Sequence, residues 1–462
     1  MSTQAEVQRL SDRAVAHVLD TQGTGAGRRS GWLMISTILI ESWDLYSISF
    51  ILVFLKAQFS PGWLLLGLTS AAVQAGAVVG ALSGGWLADK FGRRPVFLGT
   101  MAAFVVLALA QSFVPNLWWL VVVRFLLGFP LGSDVATAYT YIMESMPRSK
   151  REVMGSRWQG MFGLGEVAAI IVVTIMYQSG MDHELLWRIA LGLGALPALA
   201  LLLGRLHLPD TPLSLVQRGR FAQAKKVSQQ LFGDPLDMLP GTDYELPRPR
   251  TRDFLADLWQ DRLRRRATIF AWISNAMQGA EFATFAFYLP VIFVVAGVSG
   301  IRDTNFLSAG IYAIATVSGF VGPALLPRLG HKRLSMWGFG TAFAGLCAAA
   351  LFLGVGWNAV VPLAAAVLLW GHYWAASNGM TVASMMAPTR YKATASGFAY
   401  LFVKIPLFFT IFLFPSLFDA WGVPLATLFA ATFSLIGWLG ARLVLPEVHG
   451  YVESTGESGT AH

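Results

Sequence analysis

Long apolar stretches dominate the chain, and their length sets the first expectation. Met34–Phe54, interrupted by a few polar residues, and Leu191–Leu203 are examples. A helix needs about 20 apolar residues to cross the hydrocarbon core of a bilayer. By that measure about twelve spans are predicted, at 32–54, 64–88, 95–113, 117–145, 156–178 and 186–207, then 267–298, 304–327, 333–354, 358–386, 393–417 and 422–445. No alternation of period two runs through these stretches, so they read as helices and not as barrel strands. A helix satisfies its backbone polar groups within its own segment, which lipid demands.

One long polar stretch, Leu208–Arg266, separates the sixth span from the seventh. Six spans, an insert and six more spans are the internal pattern of a two-bundle transporter. The expected fold is an all-α membrane protein with twelve transmembrane helices in two six-helix bundles. Its parts would be an N-terminal tail (1–30), a first bundle (31–207), a central loop (208–266), a second bundle (267–446) and a C-terminal tail (447–462). The segment Ala5–Leu19 reads either as a short helix lying on the membrane or as a frayed tail.

Composition agrees with a membrane protein. Hydrophobic residues make up 55% of the 462 and charged residues 13%, about half the share of an ordinary soluble domain. The charges that remain are placed unevenly. Arg28 and Arg29 precede span 1; Lys90, Arg93 and Arg94 follow span 2; Arg148, Lys150 and Arg151 follow span 4; Arg328, Lys332 and Arg333 follow span 8; Arg390 and Lys392 follow span 10. All fall on one side, with the basic central loop, and basic loops stay in the cytoplasm. Both termini are therefore expected to be cytoplasmic, in a multi-pass cell-membrane protein (the inner membrane in a Gram-negative cell). The net charge of +8 is accounted for by these loops and does not call for nucleic acid. Residues 1–30 lack the short apolar core of a cleaved signal. The single Cys347 forms no intramolecular disulfide and reads as a packing residue. No His/Cys set has metal-ligand spacing, and no phosphate-cradling glycine loop is present. No cofactor is expected, and an ATP-driven pump is disfavoured.

The most distinctive motif is Gly84-Gly85-Trp86-Leu87-Ala88-Asp89-Lys90-Phe91-Gly92-Arg93-Arg94, in the turn between spans 2 and 3. Gly92 suits a positive φ. Asp89 suits a basic partner or a helix N-terminus. A degenerate copy, Gly322–Arg333, lies at the equivalent place of the second half, with Pro327 where the acid would stand. The motif resembles the loop signature of the major facilitator superfamily. Arg124-Phe125-Leu126-Leu127-Gly128, Glu144-Ser145-Met146-Pro147, Trp187-Arg188, Pro209-Asp210-Thr211-Pro212, Arg218-Gly219-Arg220 and Pro388-Thr389-Arg390 look like its sugar-porter and metabolite:proton symporter branch. The resemblance covers essentially the whole chain. It implies alternating access, a cytoplasmic gate built from Gly85, Asp89, Gly92, Arg93, Arg94, Glu144 and Arg151, and a second gate without its acidic partner.

Charges at membrane depth are costly, and each is a functional candidate. Asp44 lies midway along span 1 and Arg124 about two turns into span 4. In the branch this chain resembles, an acid and an arginine at these places face each other and couple protonation to transport. Gly132-Ser133-Asp134 resembles the Gly-Gly-Asp of phosphate:proton symporters, making Asp134 a further proton-coupling candidate. Glu41 sits one turn from Asp44 on nearly the same face and is placed near the extracellular mouth. Gln159 and Glu166 are seven residues apart on span 5. Gln278, Glu281 and Tyr288 on span 7 look like the sugar-binding helix of the branch, with Gly279 where a second Gln would be. His372 and Asn378 on span 10 complete the polar set. Lys404, in the middle of span 11, departs from the branch. A buried ammonium needs a counter-charge, to be supplied by Glu281, Glu166, Asp134 or an anionic substrate.

The expected function is proton-coupled symport of a small polar metabolite, an organic acid or a sugar-like compound, with the acid slightly favoured by Lys404. The expected partners are that substrate, protons and the bilayer, with the chain working as a monomer. The rivals are a proton-coupled exporter, an uncoupled facilitator and, more remotely, a non-transporting sensor. Enzyme chemistry is not expected. Asp, Arg and Lys on separate helices do not form a nucleophile, base and orienting group.

Overall fold

Every regular element among the described residues of this computed structural model is a helix; the description covers residues 4–20, 26–246 and 254–451. Arg248, Arg250, Arg252 and the tail beyond Tyr451 lie outside it. Among the described residues, ten helices are long and apolar enough to cross a membrane. The bent pair Arg262–Thr284 and Leu289–Val295 adds one more. Ile301–Val355 is a single run of 55 residues interrupted by non-helical backbone at Gly330. At 1.5 Å per residue such a run would measure roughly 80 Å, more than twice the ~30 Å hydrocarbon core. Gly330 therefore divides it into spans 8 and 9. Gly422 breaks the run Lys392–Leu443 in the same way.

Spans 2 and 4 show how the bundles achieve density without a hydrophobic drive between helices. A Cβ at Gly76 would collide with the Phe125 carbonyl, and one at Gly128 with that of Val73. Small residues at these crossings let the two backbones touch, and such close packing is one of the forces that hold helices together in lipid. Outward faces carry Val106, Phe113, Trp118, Leu196 and Leu363, all exposed, as a lipid-facing surface would.

Gln4–Asp20 is a helix, but it neither frays nor stands alone. Its Val7, Ala14 and Val18 are buried against Leu213, Val216 and Phe221. Those residues belong to the insert helices Pro212–Gln217 and Phe221–Phe232. The apolar stripe read as a membrane face is thus a packing face for the central loop. Together they form a cap at one end of the bundles, called here the insert end.

Candidate functional site

Glu41 and Asp44, one turn apart on span 1, take partners in different halves. Asp44 stays within the first half. Arg124 Nη2 is 3.1 Å from its Oδ2, while Nη1 reaches Gln111 Oε1 at 3.0 Å and Nε the Thr69 carbonyl at 3.0 Å. Arg124 is fully buried with every nitrogen engaged, as a charge at this depth must be. Glu41 instead crosses to the second half. It accepts from Lys404 Nζ and from the Tyr400 hydroxyl. Lys404 also donates to Gln74 Oε1 at 2.7 Å. Two expectations are corrected here. Glu41 is buried, not at a solvated mouth, and lies one turn nearer the insert end of span 1 than Asp44. The counter-charge of Lys404 is Glu41, not Glu281, Glu166 or Asp134.

Asp134 pairs with Arg205, at the end of span 6, through Nη1 at 2.8 and 3.0 Å. Thr100 donates to the same carboxylate at 3.1 Å, and Thr37 donates as well. Span 1 is interrupted between Ile35 and Thr37, which frees carbonyls of its last turn. Arg205 collects those of Leu33 and Met34. Arg205 was missed from the sequence because it reads as one more basic residue at a helix end.

The interface between the halves holds a third polar group. His372 Nδ1 is 3.2 Å from Glu281 Oε1, and its Nε2 is 3.3 Å from Gln159 Nε2. Ser434 donates to the other Glu281 oxygen. Tyr373 donates to Glu166 Oε2. Glu166 Oε1, on span 5, and Gln278 Nε2, on span 7, are buried with no partner. Around them lie Tyr46, Phe162 and Phe282, packed edge to face. The Tyr46 and Tyr312 hydroxyls meet across the halves at 3.0 Å. Tyr288 is turned elsewhere: its hydroxyl donates to the Ile411 carbonyl at 2.7 Å. Asn378 is also apart from this group, near the insert end, where it bonds His331 and Ser335.

At the insert end the Gly84–Arg94 motif is organised around one carboxylate. Asp89 pairs with Arg93 at 3.0 Å and caps a helix of the opposite half, accepting from the Thr394 amide at 2.8 Å and its hydroxyl at 2.7 Å. Free amides at a helix N-terminus favour a negative charge. Arg93 Nη2 reaches Glu144 at 2.7 Å, and the Arg93 amide donates to Asp210 at 3.0 Å. Gly92 has φ +103°, and a Cβ there would strike Asp210. A Cβ at Gly85 would strike the Ala393 carbonyl across the halves. Arg94 is exposed and bonds the Leu206 carbonyl. Arg151 bonds the Leu19 carbonyl of the N-terminal helix at 3.5 Å.

The second copy of the motif does have an acidic partner, but it comes from elsewhere. Glu447 accepts from the amides of His331 at 2.9 Å and Lys332 at 3.1 Å, next to the positive-φ Gly330. Leu208-Pro209-Asp210 and Leu445-Pro446-Glu447 thus occupy matching places after the sixth and last spans. The repeat is legible in the sequence, but its acid lies after the last span and not at Pro327 within the motif. The opposite end of the interface is closed too. Ser49 donates to the Phe287 carbonyl at 3.0 Å, and Asn305 to Thr174 at 2.9 Å. The polar groups between the halves are therefore shut off from both ends.

The sequence profile of one family, described as "Sugar (and other) transporter", matches residues 33–452. The chain is similar to the probable metabolite transport protein CsbC of Bacillus subtilis, 26% identical over 89% of this chain and 90% of that protein. It is 26% identical to a D-xylose transporter of Levilactobacillus brevis over 83% of this chain and 85% of the relative. A solved structure of the proton:xylose symporter XylE bound to 6-bromo-6-deoxy-D-glucose superposes with a TM-score of 0.80 at 17% identity, covering 94% of this chain and 99% of that one. A partially occluded inward-open form of XylE from E. coli gives 0.74 at 17% identity, over 92% of this chain and 99% of that one.

Proposed function

Because the chain belongs to the sugar (and other) transporter family, we propose that this membrane-embedded transporter moves a neutral, hydroxyl-bearing metabolite together with protons. Alternating access of the two halves carries the substrate across. The insert end, both termini included, faces the cytoplasm, and one chain suffices.

The observation that carries the substrate class is the pair of buried atoms without partners, Glu166 Oε1 and Gln278 Nε2. A buried polar atom left unsatisfied costs about 1–3 kcal/mol. One is an acceptor on the first half and the other a donor on the second. A hydroxyl donates and accepts at once, so a polyhydroxylated ligand can answer both. Gln159, Glu281 and His372 supply further polar contacts, and Phe162 and Phe282 the apolar faces. The argument for an anionic substrate rested on Lys404, and Glu41 now takes up that charge. The names of two relatives, a D-xylose and a glucose transporter, point the same way.

Asp44, with Arg124, and Asp134, with Arg205, are the proton-coupling pairs of this reading. Protonating either acid removes one charge from a buried pair and loosens its helix contact. The substrate class is tested by equilibrium binding of radiolabelled sugars, polyols and monocarboxylates to purified protein. A neutral sugar or polyol is expected to bind, with Glu166→Leu and Gln278→Leu each weakening it at least tenfold. Binding of carboxylates alone, indifferent to both substitutions, would contradict the assignment.

A further inference from the structure

Away from the central site, the fold gathers three side chains that the sequence scatters. Glu152 stands at the start of span 5, and His331 and His449 lie 179 and 297 residues further on. Their ligand atoms all lie within 4.8 Å of one another. Glu152 Oε2 is 2.8 Å from His449 Nδ1 and 3.1 Å from His331 Nε2. No spacing rule could have shown this group, since each member comes from a different loop junction.

Hydrogen bonding around the group fixes which nitrogen is free. Asn378 Nδ2 donates to Ser335 Oγ at 2.9 Å and to the His331 carbonyl at 3.4 Å. Its Oδ1 therefore faces His331 Nδ1, at 2.9 Å, and that nitrogen carries the proton. In the neutral ring Nε2 then presents a lone pair, aimed at a carboxylate oxygen that also bears lone pairs. Two acceptors do not approach to 3.1 Å unless a proton or a metal ion stands between them. An imidazole whose Nδ1–H is held by a carbonyl while Nε2 points at further ligands is the arrangement of a metal-binding histidine with its outer shell in place. The carboxylate is anchored as well, since the Gly450 amide donates to Glu152 Oε1 at 3.0 Å. Glu447, whose oxygens accept from the His331 and His449 amides, adds a second negative charge beside the group.

We propose that Glu152, His331 and His449 bind one Zn²⁺, or a divalent cation of like preference, and that the bound ion ties the two halves together at the insert end. Two imidazole nitrogens and one carboxylate oxygen suit zinc, whereas calcium and magnesium prefer all-oxygen sets. Ligand atoms around tetrahedral zinc, with bonds of ~2.1 Å, stand roughly 3.4 Å apart, so the two carboxylate–imidazole distances, 2.8 and 3.1 Å, would lengthen by roughly 0.3–0.6 Å. Three protein ligands leave a fourth position for water, and His449 is part-exposed to admit it. Glu152 belongs to the first half and both histidines to the second, so the set exists only while the insert end is closed. An ion that binds one state alone stabilises that state by mass action. The bridging role rests on the two-halves transport mechanism; the zinc site itself does not.

The test is radioactive zinc binding to the purified full-length protein, with excess magnesium present. One saturable zinc per chain is expected. Glu152→Gln, His331→Gln and His449→Gln should each weaken it at least tenfold, and Asn378→Ala about 10–100-fold as an outer-shell loss. His17→Gln and His183→Gln, which remove histidines elsewhere, should leave it unchanged. His449 is part-exposed and outside the spans, so its variant keeps the test valid if His331→Gln fails to fold. Spin labels placed across the insert end give the second readout. Zinc should narrow their distances to the closed value in the wild type and leave His449→Gln unaffected. Absence of a stoichiometric zinc, or one of equal affinity in Glu152→Gln and His449→Gln, would overturn the site. Zinc that binds without moving the distances would overturn the bridge.

Discussion

Lys404 concentrates the argument at the scale of single residues. An ammonium with no solvent exposure survives only because Glu41, Gln74 and the face of Tyr400, 5.0 Å away, surround it. Removing one partner of such a pair leaves a buried charge unanswered, at a cost on the order of 3–5 kcal/mol. Glu41→Gln is expected to lower the thermal midpoint sharply in detergent, and Glu41→Gln with Lys404→Met to recover most of the loss. A double variant no better than the single would show that the pair is not the cause. Glu166 presents the opposite case. Its Oε1 is buried without a partner, so Glu166→Leu should leave the thermal midpoint unchanged or raise it while weakening ligand binding. A fall in both would mark Glu166 as structural. The need for a partner at Lys404 was legible in the sequence, because a lysine in mid-span demands one. Its identity was not, since Glu41 lies 363 residues away and nothing local distinguishes it from the other acids. The pairing of Asp134 with Arg205, 71 residues away, hid for the same reason.

Among the elements, the junctions where loops meet helix ends decide how the halves hold together. Asp89 of the first half caps the helix that begins at Lys392 in the second. Asn at position 89 keeps the shape and gives up the charge that the helix dipole favours, worth about 0.3–1 kcal/mol, or up to ~2 where partly buried. Asp89→Asn should therefore shift the protein towards the form open at the insert end. The buried Ser396, made Cys in a Cys347→Ser background, should then react faster with a thiol reagent; an unchanged rate would remove Asp89 from the gate. Gly92→Ala forces a side chain into φ +103° and against Asp210, a strain of about 1–3 kcal/mol, and should act in the same direction. Helix existence at this scale was readable from hydropathy alone. The breaks at Gly330 and Gly422 followed less directly, because hydropathy does not record φ. The N-terminal helix was readable as amphipathic, but its partner was not. A stripe suited to lipid is equally suited to Leu213, Val216 and Phe221.

For the whole molecule, the two halves meet along polar contacts that are closed at both ends and unsatisfied in the middle. Ser49 with Phe287 and Asn305 with Thr174 seal one end. Asp89 with Thr394 and Glu152 with His331 and His449 seal the other. In the proposed cycle these sets break alternately, and separating the cross-half Glu41–Lys404 pair would leave two buried charges unanswered. Protonation of an acid, or arrival of a ligand that satisfies Glu166 and Gln278, alters that cost at the centre. The measurement that bears most directly on this account is uptake of a sugar found to bind, into proteoliposomes, with and without an inward proton gradient, for wild type and Asp44→Asn. The account predicts gradient-driven accumulation by the wild type, and in Asp44→Asn no accumulation but preserved exchange of preloaded substrate. Equilibration without accumulation, identical in both proteins, would make the chain an uncoupled facilitator and the buried acids structural.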